Sequence, residues 1–358
     1  MRSDVLPTIR ATPRRQARRA ATAGFTLVEL LVVIAIIAVL MGLLVVGLRG
    51  AIGTSRKMRE LNFLKGIHTA WELYSNNSDE QLLPGYLPVE TQTAWSVTYR
   101  NSAGQAVPAA LAQTYPWRMA SYFGKEAFAA FLGYNDFGNT TEGANDPSME
   151  WPTDMATTPA WMSPSLGTPG SAIAFQPVAG YNAYFVGGWY QQNAAGAAQP
   201  RFVDAAWTDQ SGNARTGGLV CTRKSQIERT TEVVVFATST YRAAGTYSVT
   251  GEDQTAGSAW ISAPRLGTQS VWQPFVGTPQ NVASAEYEGG SALVPQSAWI
   301  DSGYIQVLSA NSVPIRRHNR LAAVLHADGS AESMSIGTLM DMRMWIDKAD
   351  TPEFQHGD

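Results

Sequence analysis

The sequence predicts an α+β fold in which a long N-terminal helix precedes an antiparallel β-sheet and a large loop-rich insertion. Three observations support this prediction. Residues 25–48 form an apolar run with one charge, a helical pattern of apolar residues continues to about Asn76, and short strand-like runs follow. The 358 residues suffice for one large or two ordinary domains, and no repeat of fixed period indicates a solenoid or propeller.

Residues 1–24 form a basic leader. They hold six arginines against Asp4, a net charge of +5, whereas the whole chain has 26 Lys and Arg against 29 Asp and Glu. Hydrophobic residues make up 45% and charged residues 15% of the chain, which disfavours a disordered protein, and we expect no nucleic acid partner. The single cysteine, Cys221, excludes an intramolecular disulfide, and we expect it to be buried as a small apolar residue.

The apolar run from Phe25 to Leu48 is the predicted transmembrane half of the helix. Its 24 residues would rise about 36 Å, enough for a hydrocarbon core of about 30 Å. An ordinary signal anchor and a cleavable secretory signal are the alternatives, but a secretory apolar region has only about 7–15 residues. Glu29 is the only charge in the run. A carboxylate in an apolar helix is unfavourable, so Glu29 requires a partner or a function.

Residues 49–78 are predicted to continue the helix as an amphipathic segment. Apolar residues recur there at steps of three and four, with charged residues between them. They are Leu61, Leu64, Ile67 or His68, Trp71 and Tyr74. The polar run that begins at Asn76 is expected to end the helix, and residues 79–358 to form an α+β globular domain.

The segment Gly24 to Glu29 (GFTLVE) lies between an arginine cluster and the apolar run. It resembles the class III signal of type IV prepilins and type II secretion pseudopilins. The resemblance implies that prepilin peptidase cuts after Gly24 and that the new N terminus, Phe25, is N-methylated. It also implies that Glu29 neutralises the terminal amine of a neighbouring subunit, since a buried ammonium and a buried carboxylate are tolerable only as a pair.

The same resemblance implies a pilin-like fold and a structural role in a type II secretion or type IV pilus-type filament. The implied partners are prepilin peptidase, other pilin or pseudopilin subunits, the secretion or pilus assembly platform and the membrane. The implied location is the inner (cytoplasmic) membrane, crossed once, with the C-terminal domain periplasmic or on a surface filament. Because the G-x-S-x-G, P-loop and H-E-x-x-H motifs are absent from the sequence, we expect no enzyme activity, cofactor or metal.

The globular domain is predicted to combine short strands, short helices and a long loop. Strands are predicted at 172–175, 181–190, 232–237 and 304–308, short helices at 117–134, and a loop at 135–168. A closing helix is predicted at 338–349, with Thr338 as N-cap and Asp341 at the capping-box position. Its apolar face is predicted to hold Leu339, Met342, Trp345 and Ile346.

A C-terminal hairpin is predicted at 316–336, with a type I′ turn at Asp328-Gly329 in which both residues have positive φ. His318 is followed by nine residues and then by Asp328-Gly329. This spacing resembles the H-x9-D-G element of planctomycete-type pseudopilin-like proteins. His318, His326 and Asp328 carry donor atoms that suit zinc. The turn already accounts for the presence of the aspartate, and a hydrogen bond across the hairpin accounts for the presence of a histidine. We therefore interpret the H-x9-D-G element as structural and not as a metal site.

Two other functions stay open on the sequence alone. The first is a filament- or membrane-displayed binding module for glycans or proteins, which would use exposed tryptophans as stacking surfaces. The candidate tryptophans are Trp95, Trp117, Trp151, Trp161, Trp189 and Trp207. The second, less favoured, is a membrane-anchored hydrolase whose catalytic residues match none of the motifs above.

Overall fold

The computed structural model describes residues 26–101, 104–123, 173–175, 177–242, 245–248, 257–274, 304–307, 311–314 and 321–357. These residues form a mixed α+β fold. The chain divides into two compact units, Met1–Ile52 and Gly53–Asp358. The loop predicted at 135–168, which is the centre of the predicted insertion, lies outside the described residues.

Helix α1 runs from Leu27 to Asn77 and confirms the predicted N-terminal helix. Its end coincides with a change of backbone conformation, because Asp79 and Glu80 have φ values of +51° and +62°. Residues in that left-handed region cannot continue a right-handed helix. The polar run after Asn76 therefore ends the helix where the sequence predicts.

The last turns of α1 bury one face in the core of the second unit. Leu64, Ile67 and Trp71 are fully buried, which confirms the predicted apolar face. The Trp71 indole N–H donates to the Tyr181 hydroxyl at 3.2 Å, and that hydroxyl donates to the Leu83 carbonyl at 2.9 Å. This relay satisfies the polar atoms of two buried aromatic side chains, as burial requires.

Short antiparallel strands make up the β-structure. In chain order they are β1 (Ala179–Tyr181), β2 (Tyr190–Gln192), β3 (Ala198–Pro200), β4 (Ala206–Thr208), β5 (Ala214–Thr216), β6 (Val234–Arg242), β7 (Gly245–Ser248), β8 (Arg265–Leu266), β9 (Gln269–Ser270), β10 (Trp272–Pro274), β11 (Tyr304–Val307), β12 (Asn311–Pro314), β13 (Ala322–His326) and β14 (Ala331–Met334). A five-stranded sheet is built around β6, which pairs with β1, β12 and β13, while β14 pairs with β13. The pairs β2–β3, β4–β5 and β8–β9 form separate two-stranded ribbons, and β10, β11 and β7 form a three-stranded sheet.

Strand β6 is the centre of the core. Its first four residues, Val234 to Ala237, are fully buried, as expected for a strand covered on both faces. The strands predicted at 232–237 and 304–308 are thereby confirmed in position by β6 and β11. The hairpin predicted at 316–336 is confirmed by the pairing of β13 with β14 over its described part, which begins at residue 321.

The strand predicted at 181–190 is wrong in part, and the strand predicted at 172–175 is wrong. The run 181–190 is divided between the end of β1 and the start of β2, because Gly187 and Gly188 turn the chain with φ values of +74° and +87°. Within the run 172–175, residues 173–175 are helical. All three are fully buried, and a short buried apolar run does not distinguish helix from strand by its periodicity.

Apart from the helical residues 173–175, the other described α-helices are also short: α2 (Val89–Ala94), α3 (Tyr115–Arg118) and α4 (Ile336–Leu339). Helix α3 and the 3₁₀ turn Ala120–Tyr122 occupy the start of the helical region predicted at 117–134. Residues 124–134 lie outside the described residues.

The closing helix predicted at 338–349 is wrong as a single element. Ser335, not Thr338, caps α4 by accepting a hydrogen bond from the Thr338 N–H, and Asp341 caps a separate 3₁₀ turn. The helix is interrupted because the Met342 N–H donates to the Pro352 carbonyl at 2.9 Å instead of to the preceding turn. The predicted apolar face is nevertheless correct. Its four residues are fully buried: Leu339, Met342, Trp345 and Ile346.

Candidate functional site

The N-terminal part of α1 is long and apolar enough to cross a membrane over Leu27–Leu44. None of this segment is buried within the protein. Its apolar side chains include Leu27, Leu30 and Leu43, each more than half exposed. An apolar surface exposed in this way requires lipid or other helices around it.

A reciprocal pair of hydrogen bonds between Thr26 and Glu29 caps the start of α1. The Thr26 N–H and hydroxyl donate to Glu29 Oε2 at 2.8 and 2.7 Å, and the Glu29 N–H donates to Thr26 Oγ1 at 3.2 Å. This capping box satisfies two N–H groups at the helix start. Sequence reasoning missed it, although a threonine three residues before a glutamate at the start of an apolar run is its signal.

Gly24 and Phe25 lie outside the described residues, so cleavage and methylation there stay predictions. A cut after Gly24 would leave the cap intact, because the Thr26 N–H belongs to the peptide bond with Phe25. The structure thus holds the Glu29 carboxylate in the first helical turn, close in sequence to the predicted new amino terminus.

The structure describes only part of the predicted H-x9-D-G element of the C-terminal hairpin. His318 lies outside the described residues. The turn between β13 and β14 has three residues, 327–329, because the His326 N–H donates to the Ser330 carbonyl at 2.9 Å and the Gly329 N–H to the His326 carbonyl at 3.0 Å. The role predicted for His318 with Asp328 and Gly329 stays a prediction.

The predicted type I′ turn is wrong. Gly329 has a φ of +87°, but Asp328 is not among the residues with positive φ. A three-residue loop with a left-handed glycine at its end is the next common hairpin connection. Asp328 is drawn into this form because its N–H donates to the Thr230 carbonyl at 2.9 Å and its Oδ1 accepts from the Ser330 N–H at 2.8 Å.

The Asp328 carboxyl is held in its ionised form. Partial burial raises its pKa, but hydrogen bonds from the Ser330 hydroxyl and N–H, with the nearby His326, outweigh burial and hold the pKa below its usual range. The Asp328 carboxylate therefore accepts its hydrogen bonds from within its own turn.

His326 is almost fully buried, and both of its ring nitrogens lie within hydrogen-bond reach of a neighbour. Nδ1 lies 3.0 Å from the Glu232 carbonyl and Nε2 lies 3.1 Å from Glu332 Oε1, across the hairpin. The hydrogen bond expected of a hairpin histidine is thus present at His326. Within the described part of the chain, three or more His, Cys, Asp or Glu side chains do not come together as a metal site would require.

Cys221 is buried, as predicted. Its Sγ lies 3.6 Å from the Gln226 carbonyl. Burial, with a smaller contribution from Asp347, raises the pKa of the thiol to about 12. A thiol of that pKa is almost entirely protonated at neutral pH and is a poor nucleophile.

The tryptophans proposed as stacking surfaces occupy different environments. Trp117 is buried. Trp189 stacks with the rings of Tyr86 and Tyr184, at centroid distances of 4.3 and 4.9 Å, so much of its ring surface is already covered. Trp95 is 43% exposed, and Trp207 is half-buried at the edge of a cleft. The other two, Trp151 and Trp161, lie outside the described residues.

Residues 19–45 match the family model of the prokaryotic N-terminal methylation motif. No curated protein and no solved structure matches the chain. The motif is typical of structural, pilin-like proteins and not of an enzyme family. Together with the exposed apolar helix, it fits a single-pass membrane-anchored protein. The chain carries the prokaryotic N-terminal methylation motif, in agreement with the type IV prepilin and pseudopilin-like family that its sequence resembles.

Proposed function

We propose that this protein is the precursor of a pilin-like structural subunit of a type II secretion or type IV pilus-type filament. In this proposal prepilin peptidase cuts after Gly24, and Phe25 becomes the N-methylated terminus. The methylation motif at residues 19–45, followed by the exposed apolar helix, carries the proposal. The subunit is held in the inner membrane by α1, with its globular unit periplasmic or on the filament.

The exposed apolar segment supports assembly because it has two suitable environments. In the bilayer, lipid covers its side chains, and in a filament, the same segments of other pilin or pseudopilin subunits cover them. Glu29 is unfavourable in the first environment, since a carboxylate in an apolar span is costly. In the second it is paired with the Phe25 ammonium of a neighbour, which makes assembly favourable for both charges.

The buried face of the last turns of α1 supports transmission of force in such a filament. Leu64, Ile67 and Trp71 are enclosed in the core of the globular unit, and Lys224 forms an ion pair with Glu72 of the helix. A pull on this part of the helix therefore acts on the globular unit through packed side chains.

The C-terminal hairpin favours, within this class, the planctomycete-type pseudopilin-like proteins. The supporting observation is the spacing of nine residues between His318 and Asp328-Gly329. In the described part of the hairpin, the turn lies against α1, since the Ala327 carbonyl is 3.3 Å from His68 Nε2. We interpret the H-x9-D-G element as one that holds the hairpin turn in contact with α1.

Intact-mass spectrometry of the membrane-extracted protein, expressed with prepilin peptidase, tests the proposal. The expected mass corresponds to a chain that begins at Phe25 and carries one methyl group. Gly24→Val should leave the full leader attached, because a bulkier residue blocks the peptidase at the junction. Ala20→Val, in the same leader, is the control and should be processed normally. A native protein that begins at Met1, or is cut beyond Leu48, would contradict the proposal.

A further inference from the structure

A cleft of about 460 Å³ lies beside Trp207 in the globular unit. It lies between β4, the turn of the β8–β9 ribbon and the C-terminal residues 350–356. We propose that this surface, the Trp207 cleft, binds a neutral carbohydrate. Its volume falls in the range of small-molecule sites and accommodates one or two sugar rings. The inference is independent of filament assembly, because every residue of the cleft belongs to the globular unit.

Trp207 is a fixed aromatic wall of the cleft. Its indole N–H donates to the Gly217 carbonyl at 2.9 Å, and its ring packs against Phe354 with the centroids 5.5 Å apart and the planes at 60°. Both contacts hold the ring in one orientation. A rigid indole offers an apolar face at low cost in conformational entropy, which suits the C–H face of a sugar ring.

The rest of the lining is mainly polar, which disfavours an apolar ligand. Thr268, Gln210 and Gln355 are exposed in the cleft and come from three different segments of the chain. Hydroxyl and amide groups both donate and accept hydrogen bonds, as sugar hydroxyls do. The Gln210 N–H donates to Asp350 Oδ2 at 2.5 Å, which joins the β4–β5 turn to the C-terminal segment across the cleft.

The charge of the cleft disfavours an anionic ligand. Asp209 is occupied by its own turn, since the Asn213 N–H donates to Oδ1 at 2.8 Å and Arg215 lies 3.0 Å from Oδ2. Asp350 and Glu353 form no ion pair within the described parts of the chain. They leave acceptor oxygens for the hydroxyl groups of a neutral sugar, whereas a phosphate or a uronic acid would be repelled.

The test is binding of maltose, cellobiose and N,N′-diacetylchitobiose to the full chain. The protein is purified in a zwitterionic detergent without a sugar head group, so that the detergent does not compete. Saturation-transfer NMR detects binding, and calorimetry measures the dissociation constant. We expect at least one disaccharide to bind, Trp207→Ala to weaken that binding about tenfold, and Trp95→Ala, an exposed tryptophan outside the cleft, to leave it unchanged.

A second variant is needed because Trp207 also packs on Phe354, so that Trp207→Ala could weaken binding by destabilising the fold. Gln355→Ala removes an exposed amide and should weaken binding about threefold with an unchanged Tm. The proposal is overturned if none of the three disaccharides binds the folded chain. It is also overturned if Trp207→Ala and Gln355→Ala both bind the sugar as the wild type does. Octalysine, a cationic peptide, is the competing ligand, because Asp350 and Glu353 make the cleft acidic. Binding of octalysine without binding of the sugars would equally overturn the proposal.

Discussion

The α-carbon of Gly329 lies so close to His68 that a β-carbon added there would be 2.7 Å from His68 Cε1. The tip of the C-terminal hairpin is thus in direct contact with α1, far away in sequence. Gly329 also has a φ of +87°, a conformation that side chains other than glycine rarely adopt. Glycine is favoured at this position by the backbone conformation, and any larger residue would also have to displace the His68 ring.

Gly329→Ala should therefore destabilise the protein by about 2–4 kcal/mol, since backbone strain and overpacking against His68 add together. Gly196→Ala is the matched control. Gly196 is also a hairpin glycine, with a φ of +78°, but nothing lies within 4 Å of its added β-carbon. Its substitution should cost only the backbone strain, about 1–2 kcal/mol. Denaturant unfolding of the full chain measures both values.

A double-mutant cycle isolates the contact with His68. In a His68→Ala background, the cost of Gly329→Ala should fall towards that of Gly196→Ala, because the ring no longer occupies the space. An unchanged cost in that background would show that the backbone conformation alone accounts for the glycine.

Asp328→Asn should lower the stability of the folded protein only slightly at pH 7, and it should reduce the loss of stability in acid. The folded pKa of Asp328 is lowered, so its stabilising effect is present above the unfolded pKa of about 3.9 and is lost as pH falls through the folded value. Asparagine keeps an oxygen that accepts from the Ser330 N–H, whereas Asp328→Ala loses about 1 kcal/mol at pH 7. Thermal melts at pH 7 and pH 3 check this. A steeper loss of stability at low pH in Asp328→Asn than in the wild type would contradict it.

Glu29→Gln separates the charge of Glu29 from its capping role. Glutamine retains an oxygen for the Thr26 N–H but has no charge to pair with the Phe25 ammonium. If the proposed pairing is correct, Glu29→Gln and Glu29→Ala should both insert into membranes and both fail to assemble. An unpaired buried charge typically costs about 3–5 kcal/mol. Cross-linked multimers and the membrane fraction are the two measurements.

Thr26→Ala is the control for Glu29, since it removes the two hydrogen bonds of the cap that use the Thr26 hydroxyl and keeps the carboxylate. It should assemble. The reverse pattern, in which Glu29→Gln assembles and Thr26→Ala does not, would assign Glu29 to helix capping alone.

Cys221 should be unreactive in the folded protein. Burial raises the pKa of its thiol to about 12, so the thiolate is scarce at pH 8. We expect the reaction with Ellman's reagent to be at least about 100-fold slower than in guanidinium chloride. Because Cys221 is the only cysteine, the absorbance reports this one site. Equal rates in the two conditions would show that the thiol is accessible in the folded chain.

Patterns of neighbouring residues predicted much of the fold. The amphipathic half of α1, the buried strand β6 and the buried face of the C-terminal turns follow from periodicity, because burial selects apolar residues at the spacing of each element. Two of the failures, the closing helix and the type I′ turn at Asp328, occur where a tertiary hydrogen bond replaces a local one. The Met342 N–H bonds to Pro352, and this divides a segment whose local pattern is that of one helix.

The sequence by itself determined the apolar N-terminal helix, the methylation motif at residues 19–45 and the place of the C-terminal hairpin, since each rests on adjacent residues or on a short-range period. Only the tertiary structure decided the turn at Asp328 and Gly329, the contact of that turn with His68 and the cleft at Trp207. Each of these depends on atoms brought together from distant parts of the chain, and the chemistry of one segment does not specify which other segment will lie against it.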